Sequence, residues 1–571
     1  MTGLNRFVLL LALPALIAGC SPAAPAAAPA GSSQPSAAAP ERVLTASISR
    51  EPDFLGAQAP IPSQSATDFY TRMFNAYLEL IDDQSRPMPY LAEALPALHT
   101  ASWTVFPDGR METRYHLKPN LVWHDAAPLT ADDFVFGFQF ATPARGFRTA
   151  VVPYTLMADV TAPDDRTVVI SWKSAYPDAG VLLGSARFGL VPLPKHLLDD
   201  LGSATPDVVQ GNPYWAHEYV GLGPYKLDHW ELGSYLEAVA FDQHVLGKPK
   251  IGRIRLMFMS DTNTAFANIL AGTTAMALDS ISFAHVVQLK QEWAQSHAGT
   301  AGITVASLAS LYFQLRPEYV SPKAIMDVNV RKAMAYGMDK ETLSDTIWSG
   351  ELKPMDSIFD PTTSYYPTIE RAITKYPYDP RASERLMAEA GYAKGADGFF
   401  ANPNEGKLEL FLRAPPTRPE LPVLAANWRK AGFDVTEKPA SPQESADPAS
   451  GSIYPSMSLS ASGGSEVQQI SIYRAAQVRR AETRWQGDNL GGWSDPAFEK
   501  LADGFAVTLD QNERVQQRVE MARMLTEQVP AIPLTYNPNM HAYLNSVRNV
   551  GAVQMQTTGR MTWNIYLWEL T

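Results

Sequence analysis

A single cysteine, Cys20, follows directly on an apolar run, and its thiol is the chain's one soft nucleophile. One cysteine excludes an intrachain disulfide and any cysteine-based metal cluster. Trp123, His124 and Asp125 stand side by side like a catalytic trio. Adjacent residues in a turn rarely face one another, so the trio reads as scaffold. Gly221, Gly223 and Pro224 lack the third glycine and the following helix of a phosphate loop, so they read as a tight turn. The ten histidines are scattered without a His-x-x-x-His pair, and no metal site or cofactor is expected. Gly-x-Ser-x-Gly, His-Glu-x-x-His and a supported Ser-x-x-Lys are all missing, which leaves a hydrolase as a remote alternative to a binding protein.

Residues 452–495 are the most unusual stretch. A strand ends in Ser462-Gly463-Gly464. A helix-like stretch then carries Arg474, Arg479, Arg480 and Arg484 and closes on Trp485, Asn489, Gly491, Gly492 and Trp493. Glycines permit close approach of a ligand backbone, tryptophan faces give sequence-tolerant apolar contact, and an asparagine amide both donates and accepts. The alternative for the same residues is a solvated arginine face over core tryptophans.

These groups need elements to hold them. With 46% hydrophobic and 19% charged residues the chain is globular in composition. Its net charge of −12 has no basic block, so nucleic acid is not an expected partner. Residues 7–18 form an apolar run of signal-peptide length, shorter than the ~20 residues a spanning helix needs. Ile17-Ala18-Gly19-Cys20 resembles a bacterial lipobox, which implies a lipid on Cys20 after cleavage. Residues 21–40, rich in Pro, Ala and Ser, read as an uncharged tether. Strands are expected at 42–49, 114–117, 167–172, 235–241, 254–258, 408–413 and 456–460. Helices are expected after Thr130, over 327–338, from Pro380 to Ala390 before Gly391, and over 513–529 before Pro530 and Pro533. Strands and helices interleave, which indicates α/β architecture.

Several segments, in order, are similar to the peptide and nickel class of solute-binding proteins of ABC importers. They are SISREPDFLGAQAP, PMPYLAEALPALHT, RYHLKPNLVWHDAAPLTADDFVFGFQF, VGLGPYKLDHW, DVNVRKAMAYGMDKETL, YDPRASERLMAEAGY and VPAIPL. The resemblance covers residues 42–545 and implies a type II periplasmic binding protein fold, with two lobes, a hinge and an inserted domain. Carried onto this chain, lobe one is 41–77, 191–305 and 546–571. The insertion is 78–190 and lobe two is 306–545. A peptide-like ligand would sit between the lobes and pass to ABC permease subunits. The protein would be a monomer outside the cytoplasm, held to a membrane by its lipid anchor alone.

The resemblance places the ligand against Gly463, Gly464, Arg474, Arg484, Trp485, Asn489 and Trp493 of lobe two. Tyr312 and Gln314 are further candidates there, and Gln58 and Phe69 would form the opposing wall. Peptide binders that grip a free amino terminus carry an aspartate in a Trp-x-x-Asp-Tyr-x-x-Pro segment here, and this chain reads SMSLSASGGSEVQQIS instead. Asp488 or Glu466 would have to substitute, so recognition of a ligand ammonium is in doubt. An uncharged or blocked peptide, an opine, a sugar, an antibiotic or a metal chelate remains open, as does sensing rather than uptake.

Overall fold

The structure, a computed structural model, describes residues 42–56, 59–60, 68–83, 86–147, 149, 152–182, 189–415, 418–463, 466–551 and 561–571. Cys20, Gln58 and Gly464 lie outside them.

Ten strands form one sheet: β1 (Val43–Ile48), β2 (Tyr225–Glu231), β3 (Tyr235–Ala240), β4 (Arg253–Phe258), β5 (Met276–Ala277), β6 (Gly299–Phe313), β7 (Glu409–Ala414), β8 (Asp434–Pro439), β9 (Met457–Ser462) and β10 (Ala531–Leu544). Their order across the sheet is β8-β7-β9-β6-β10-β5-β1-β4-β3-β2. In β1 the alternate residues Leu44, Ala46 and Ile48 are buried, the period-2 pattern of a strand packed on a core. In β7 Leu410, Leu412 and Ala414 do the same.

Two strands are far longer than the rest. β6 pairs antiparallel with β10 from Gly299↔Leu544 to Tyr312↔Ala531. The last half of β6 also pairs with β9, while Ala542 and Tyr543 of β10 pair with β5. The same two strands therefore belong to both halves of the sheet, which form the two lobes of a type II binding protein. Register shifts fall between Val305 and Ser307 and between Leu308 and Ser310. Pro538 stands opposite Val305 and Pro533 opposite Ser310, so the ladder loses donors where it is already irregular.

Separate hydrophobic cores flank this junction. One gathers Leu44, Ile48, Phe74, Trp215, Tyr225 and Trp568, and another gathers Phe313, Met334, Trp428, Leu459, Phe498 and Met521. A third, around Trp123, Phe134, Ile170 and Trp172, covers a four-stranded antiparallel sheet ordered Trp103–Val105, Met111–His116, Thr167–Trp172, Met157–Asp164. From this third body the Asp178 carboxylate comes within 3.7 Å of Arg514, which also packs over Phe505.

The capped helices form close to where their start signals stand. The helix Ala131–Phe140 follows Thr130, whose N–H donates to the Asp133 carboxylate at 2.9 Å. Asp379 accepts from the Arg381 and Ala382 amides to open Pro380–Glu389, and Gly391 follows with φ +84°. Trp123, His124 and Asp125 face different partners. The His124 ring accepts from the Gly221 N–H at Nδ1 and donates from Nε2 to the Gly223 carbonyl. Asp125 pairs instead with His196 at 2.8 Å, and the Trp123 indole points toward Asp133.

Gly223 packs so closely on the turn after Phe74 that an added Cβ would meet the Met73 carbonyl and lie 2.5 Å from the Asn75 nitrogen. Gly223→Ala is expected to destabilise the protein by about 2 kcal/mol, read as a lowered urea midpoint. An unchanged midpoint would refute this packing account.

Burial lowers His124, His244 and His541 to about 4 from an ordinary 6.5. The unfolded chain takes up protons at these sites below pH ~6.5, and the folded chain resists until pH ~4. Stability is therefore complete above pH ~6.5 and falls as the pH drops through that window. By pH 5 each histidine is expected to remove up to about 2 kcal/mol, and replacing His244 with Gln should flatten part of the slope.

Candidate functional site

In an open α/β sheet, ligands bind outside the carboxyl ends of the strands, where the strand order reverses. Strand β7 leads through the helix Glu420–Ala431 to β8 on one side, and β8 then returns to β9 on the other. Both neighbours run parallel to β7, so the chain segments after Ala414 and after Ser462 leave from one edge. In the other lobe β1 lies between two parallel partners, β4 and β5. Beyond its carboxyl end the Ser49 N–H and hydroxyl both donate to Asp279, at 2.7 and 3.0 Å.

At the lobe-two edge the segment after β7 supplies Arg418 and Glu420. The Arg418 Nη1 donates to the Asn537 side-chain oxygen at 2.6 Å, and the Asn537 Nδ2 donates to the Ser307 hydroxyl at 2.8 Å. Ser307 and Asn537 face each other across β6 and β10 at the register shift. Arg418 is thereby fixed to the strand pair that runs into the other lobe. Its Nη2 is buried and has no hydrogen-bond partner. The Glu420 side chain is 1% exposed, lies 3.6 Å from the Arg418 guanidinium, and neither of its oxygens accepts a hydrogen bond. Thr535, two residues before Asn537 on the same strand, also buries an unpartnered hydroxyl. Buried polar groups are nearly always hydrogen-bonded within a folded chain, so an acid, a guanidinium nitrogen and a hydroxyl without hydrogen bonds in one region make it the candidate site.

Sequence reasoning missed this pair, although a signal was present. Glu420, Leu424 and Trp428 recur every four residues along one buried stripe of the helix, and an acid on an apolar stripe is out of pattern.

The residues expected from the glycine- and arginine-rich stretch go elsewhere. Gly463 lies at the crevice edge, directly after β9. Gln314 instead lies at the opposite edge. Its N–H donates to the Ser456 carbonyl just before β9, and its amide nitrogen donates to the Tyr454 carbonyl at 2.9 Å. Its side-chain oxygen accepts from Arg316 Nε at 2.9 Å. The Arg316 guanidinium in turn donates to the carbonyls of Arg479 and Ser452.

Asn489 is buried, donates to the carbonyls of Arg474 and Trp493, and accepts from the Gly492 N–H. Its amide is thus engaged within the chain. Trp493 is likewise core, edge-on to Phe498 at 5.3 Å and to Tyr473 at 6.2 Å. Trp485, at φ +60°, is half-buried and faces Tyr319, which itself packs under Arg316. Arg474 pairs with Glu499 and Asp503, and Arg484 is exposed at the end of a short turn. The stretch expected to be helical holds a short α-helix, Glu466–Ser471, before the arginines and two three-residue 3₁₀ turns, Ala475–Gln477 and Ala481–Thr483, among them.

Phe69 is core in the first lobe. Tyr312 is buried between β9 and β10, and burial raises its phenol above the ordinary range against a lowering by Ser462. Glu466 is held by both nitrogens of a buried Arg518, at 2.6 and 2.7 Å, and accepts from the Tyr365 hydroxyl. Asp488 accepts from the Ser471 hydroxyl. Among the described residues no three His, Cys, Asp or Glu side chains gather as a metal site, and no helix is long and apolar enough to cross a membrane.

Comparison with known proteins agrees with this architecture. Residues 93–474 match the family model for bacterial extracellular solute-binding proteins, family 5 Middle. The chain is 24% identical over 485 residues to the dipeptide-binding protein of Escherichia coli, covering 81% of this chain and 84% of that protein. The structure of a periplasmic oligopeptide-binding protein of an ABC transporter from Thermotoga maritima superposes with a TM-score of 0.76 at 18% identity, covering 93% of this chain and 99% of the other. NikZ from Campylobacter jejuni, solved with Ni(L-His), superposes with a TM-score of 0.71 at 22% identity, covering 93% and 100%. With a family match over residues 93–474 and a sheet whose two halves share their central strands, the chain belongs to the bacterial extracellular solute-binding proteins of family 5.

Proposed function

We propose that this protein is the substrate-binding component of an ABC importer, capturing a peptide or peptide-like solute between two closing lobes and delivering it to a membrane permease. The observation that carries the reading is the pair Arg418 and Glu420, buried and incompletely bonded beside the strands that both lobes share. A peptide offers carbonyl oxygens and N–H groups at close spacing, which suits a guanidinium nitrogen and a carboxylate that make no hydrogen bond of their own. Lobes at 41–77 with 191–305 and 546–571, and at 306–545, would close by bending where β6 and β10 are irregular. The segment 78–190 is taken as the inserted domain. Residues 1–20 would direct export, Cys20 would carry the lipid, and residues 21–40 would give the body reach from the membrane.

Native mass spectrometry of the protein purified gently from its host is expected to recover bound peptide. Arg418→Met should weaken capture of that peptide at least tenfold, about 1.4 kcal/mol. Trp493→Ala should instead lower stability by about 3 kcal/mol while leaving the dissociation constant within twofold. A protein that retains no peptide, or an Arg418→Met variant that binds normally, would sink the reading. Recovery of a metal–amino-acid chelate would redirect it to the kind of ligand held by NikZ.

Attachment has its own measurement. Cys20→Ser should release the protein from the membrane fraction and abolish labelling with a radioactive fatty acid. Unaltered fractionation would remove Cys20 as the anchor.

A further inference from the structure

The body taken as the insertion is bonded to lobe one at several points. The Tyr90 hydroxyl and His244 Nε2 share a hydrogen bond of 2.8 Å, and the Lys195 N–H donates to the Asp133 carboxylate at 3.0 Å. The His124 ring is held by Gly221 and Gly223. The inserted body therefore travels with lobe one. A contact from it to lobe two is then a second junction between the parts that move, besides the shared strands β6 and β10.

Asp178 and Arg514 make such a contact, as an ion pair 3.7 Å apart. Leu509, just before the helix Gln511–Gln528 that carries Arg514, packs against the core of the inserted body. Each charge is seated by its own side. The Tyr115 hydroxyl donates to the Ala179 carbonyl at 3.0 Å, and a Cβ on Gly180 would lie 2.7 Å from the Pro96 carbonyl, so the turn carrying Asp178 is tightly placed. Arg514 is buried, donates from Nη1 to the Phe505 carbonyl at 3.0 Å, and lies 4.0 Å over the Phe505 ring. Its Nε is buried without a hydrogen bond. The pair is longer than the roughly 2.7–2.9 Å of a charge-assisted hydrogen bond, and an approach of about 1 Å would make it one. An ion pair out of water gains most when hydrogen bonds complete it, so this contact is sensitive to small motions of lobe two.

The same helix also reaches the crevice. Arg518, one turn beyond Arg514 and 4.9 Å over the same Phe505 ring, holds both oxygens of Glu466. Glu466 opens the helix Glu466–Ser471 in the segment that follows β9. We infer that Asp178 and Arg514 form a latch between the inserted body and lobe two, which tightens to a hydrogen-bonded ion pair as the crevice closes and slows release of the solute. A solute seated against the segment after β9 displaces Glu466, and Arg518 passes that displacement to the helix that carries Arg514. The latch forms after the solute has entered, so it acts on release and not on capture. It rests on the lobe-closing reading above, to which it adds a role for the inserted body, and it is indifferent to which solute is held.

The test compares the full chain with D178N, which keeps the shape of Asp178 and removes its charge, and with D178E, which keeps the charge. Each protein is offered a tryptic digest of casein, and the peptide that native mass spectrometry shows to be retained best by the parent becomes the probe. Its association and release are followed separately by stopped flow with a fluorescent copy. D178N is expected to release it at least fivefold faster with association within twofold, and D178E to stay within twofold of the parent in both. Release from D178N at the parent's rate overturns the latch and leaves peptide capture standing. A change confined to association, or a loss in D178E equal to that in D178N, does the same. Hydrogen exchange gives a measure on the parent alone, whether or not D178N folds. Amides of residues 178–182 and 511–516 should slow at least threefold on saturation with the peptide, and unaltered exchange there overturns the latch. A lower unfolding temperature for D178N with release unchanged makes Asp178 a static brace and also overturns it. If no peptide is retained, a nickel–histidine complex becomes the probe for the same rates. If that is not held either, the binding reading itself fails and the latch falls with it.

Discussion

The antiparallel ladder between β6 and β10 is the constraint on which the rest of the molecule depends. These are the strands that take part in both halves of the sheet, so every residue that faces the crevice is positioned relative to them. A continuous hydrogen-bonded ladder would resist bending, because its bonds would have to break together. Here two register shifts and two prolines thin the ladder at its middle. Flexure at that point would strain torsions and few hydrogen bonds and would leave the cores on either side intact. Arg418 is anchored through Asn537 and Ser307 to the same place.

Electrostatics follow from that placement. The molecule buries charge in two ways. Arg518 with Glu466, and Arg331 against the carbonyls of Ile325, Met326 and Gln528, are buried or half-buried groups with their bonds complete, and they hold elements together. Arg418, half-buried, and Glu420, buried, have bonds missing. The difference lies in the bonding and not in residue type, since both sets contain an arginine beside an acid.

Much of the fold was legible because its signals are local. The cap at Thr130, the proline and glycine that bracket 380–391 and the partial alternation in β1 are read within a few residues, and the elements formed there. The long central strands were not legible. Pro533 and Pro538 argue against a strand in sequence, and the pairing that makes β10 a strand comes from β6, more than 200 residues away. The glycines of the arginine-rich stretch show a related limit. Glycines at 491 and 492 do allow close approach, but of the chain to itself: a Cβ on Gly491 would lie 2.6 Å from the Phe313 carbonyl, and one on Gly492 would strike Arg316. Which backbone a glycine admits is a tertiary fact.

The arginine hub at Arg316 has a consequence for how such a protein can diversify. One guanidinium, steadied by Gln314, gathers the carbonyls of Ser452 and Arg479 and fastens the long connections of lobe two at the edge away from the crevice. The segments after β7 and β9 carry none of that fastening. A lineage that keeps the Glu466–Arg518 pair can rewrite the rest of these segments, changing charge, length and shape around a new solute, while the far edge keeps the lobe folded. Specificity and foldability are thus inherited through different edges of one sheet, and selection can act on the first without disturbing the second.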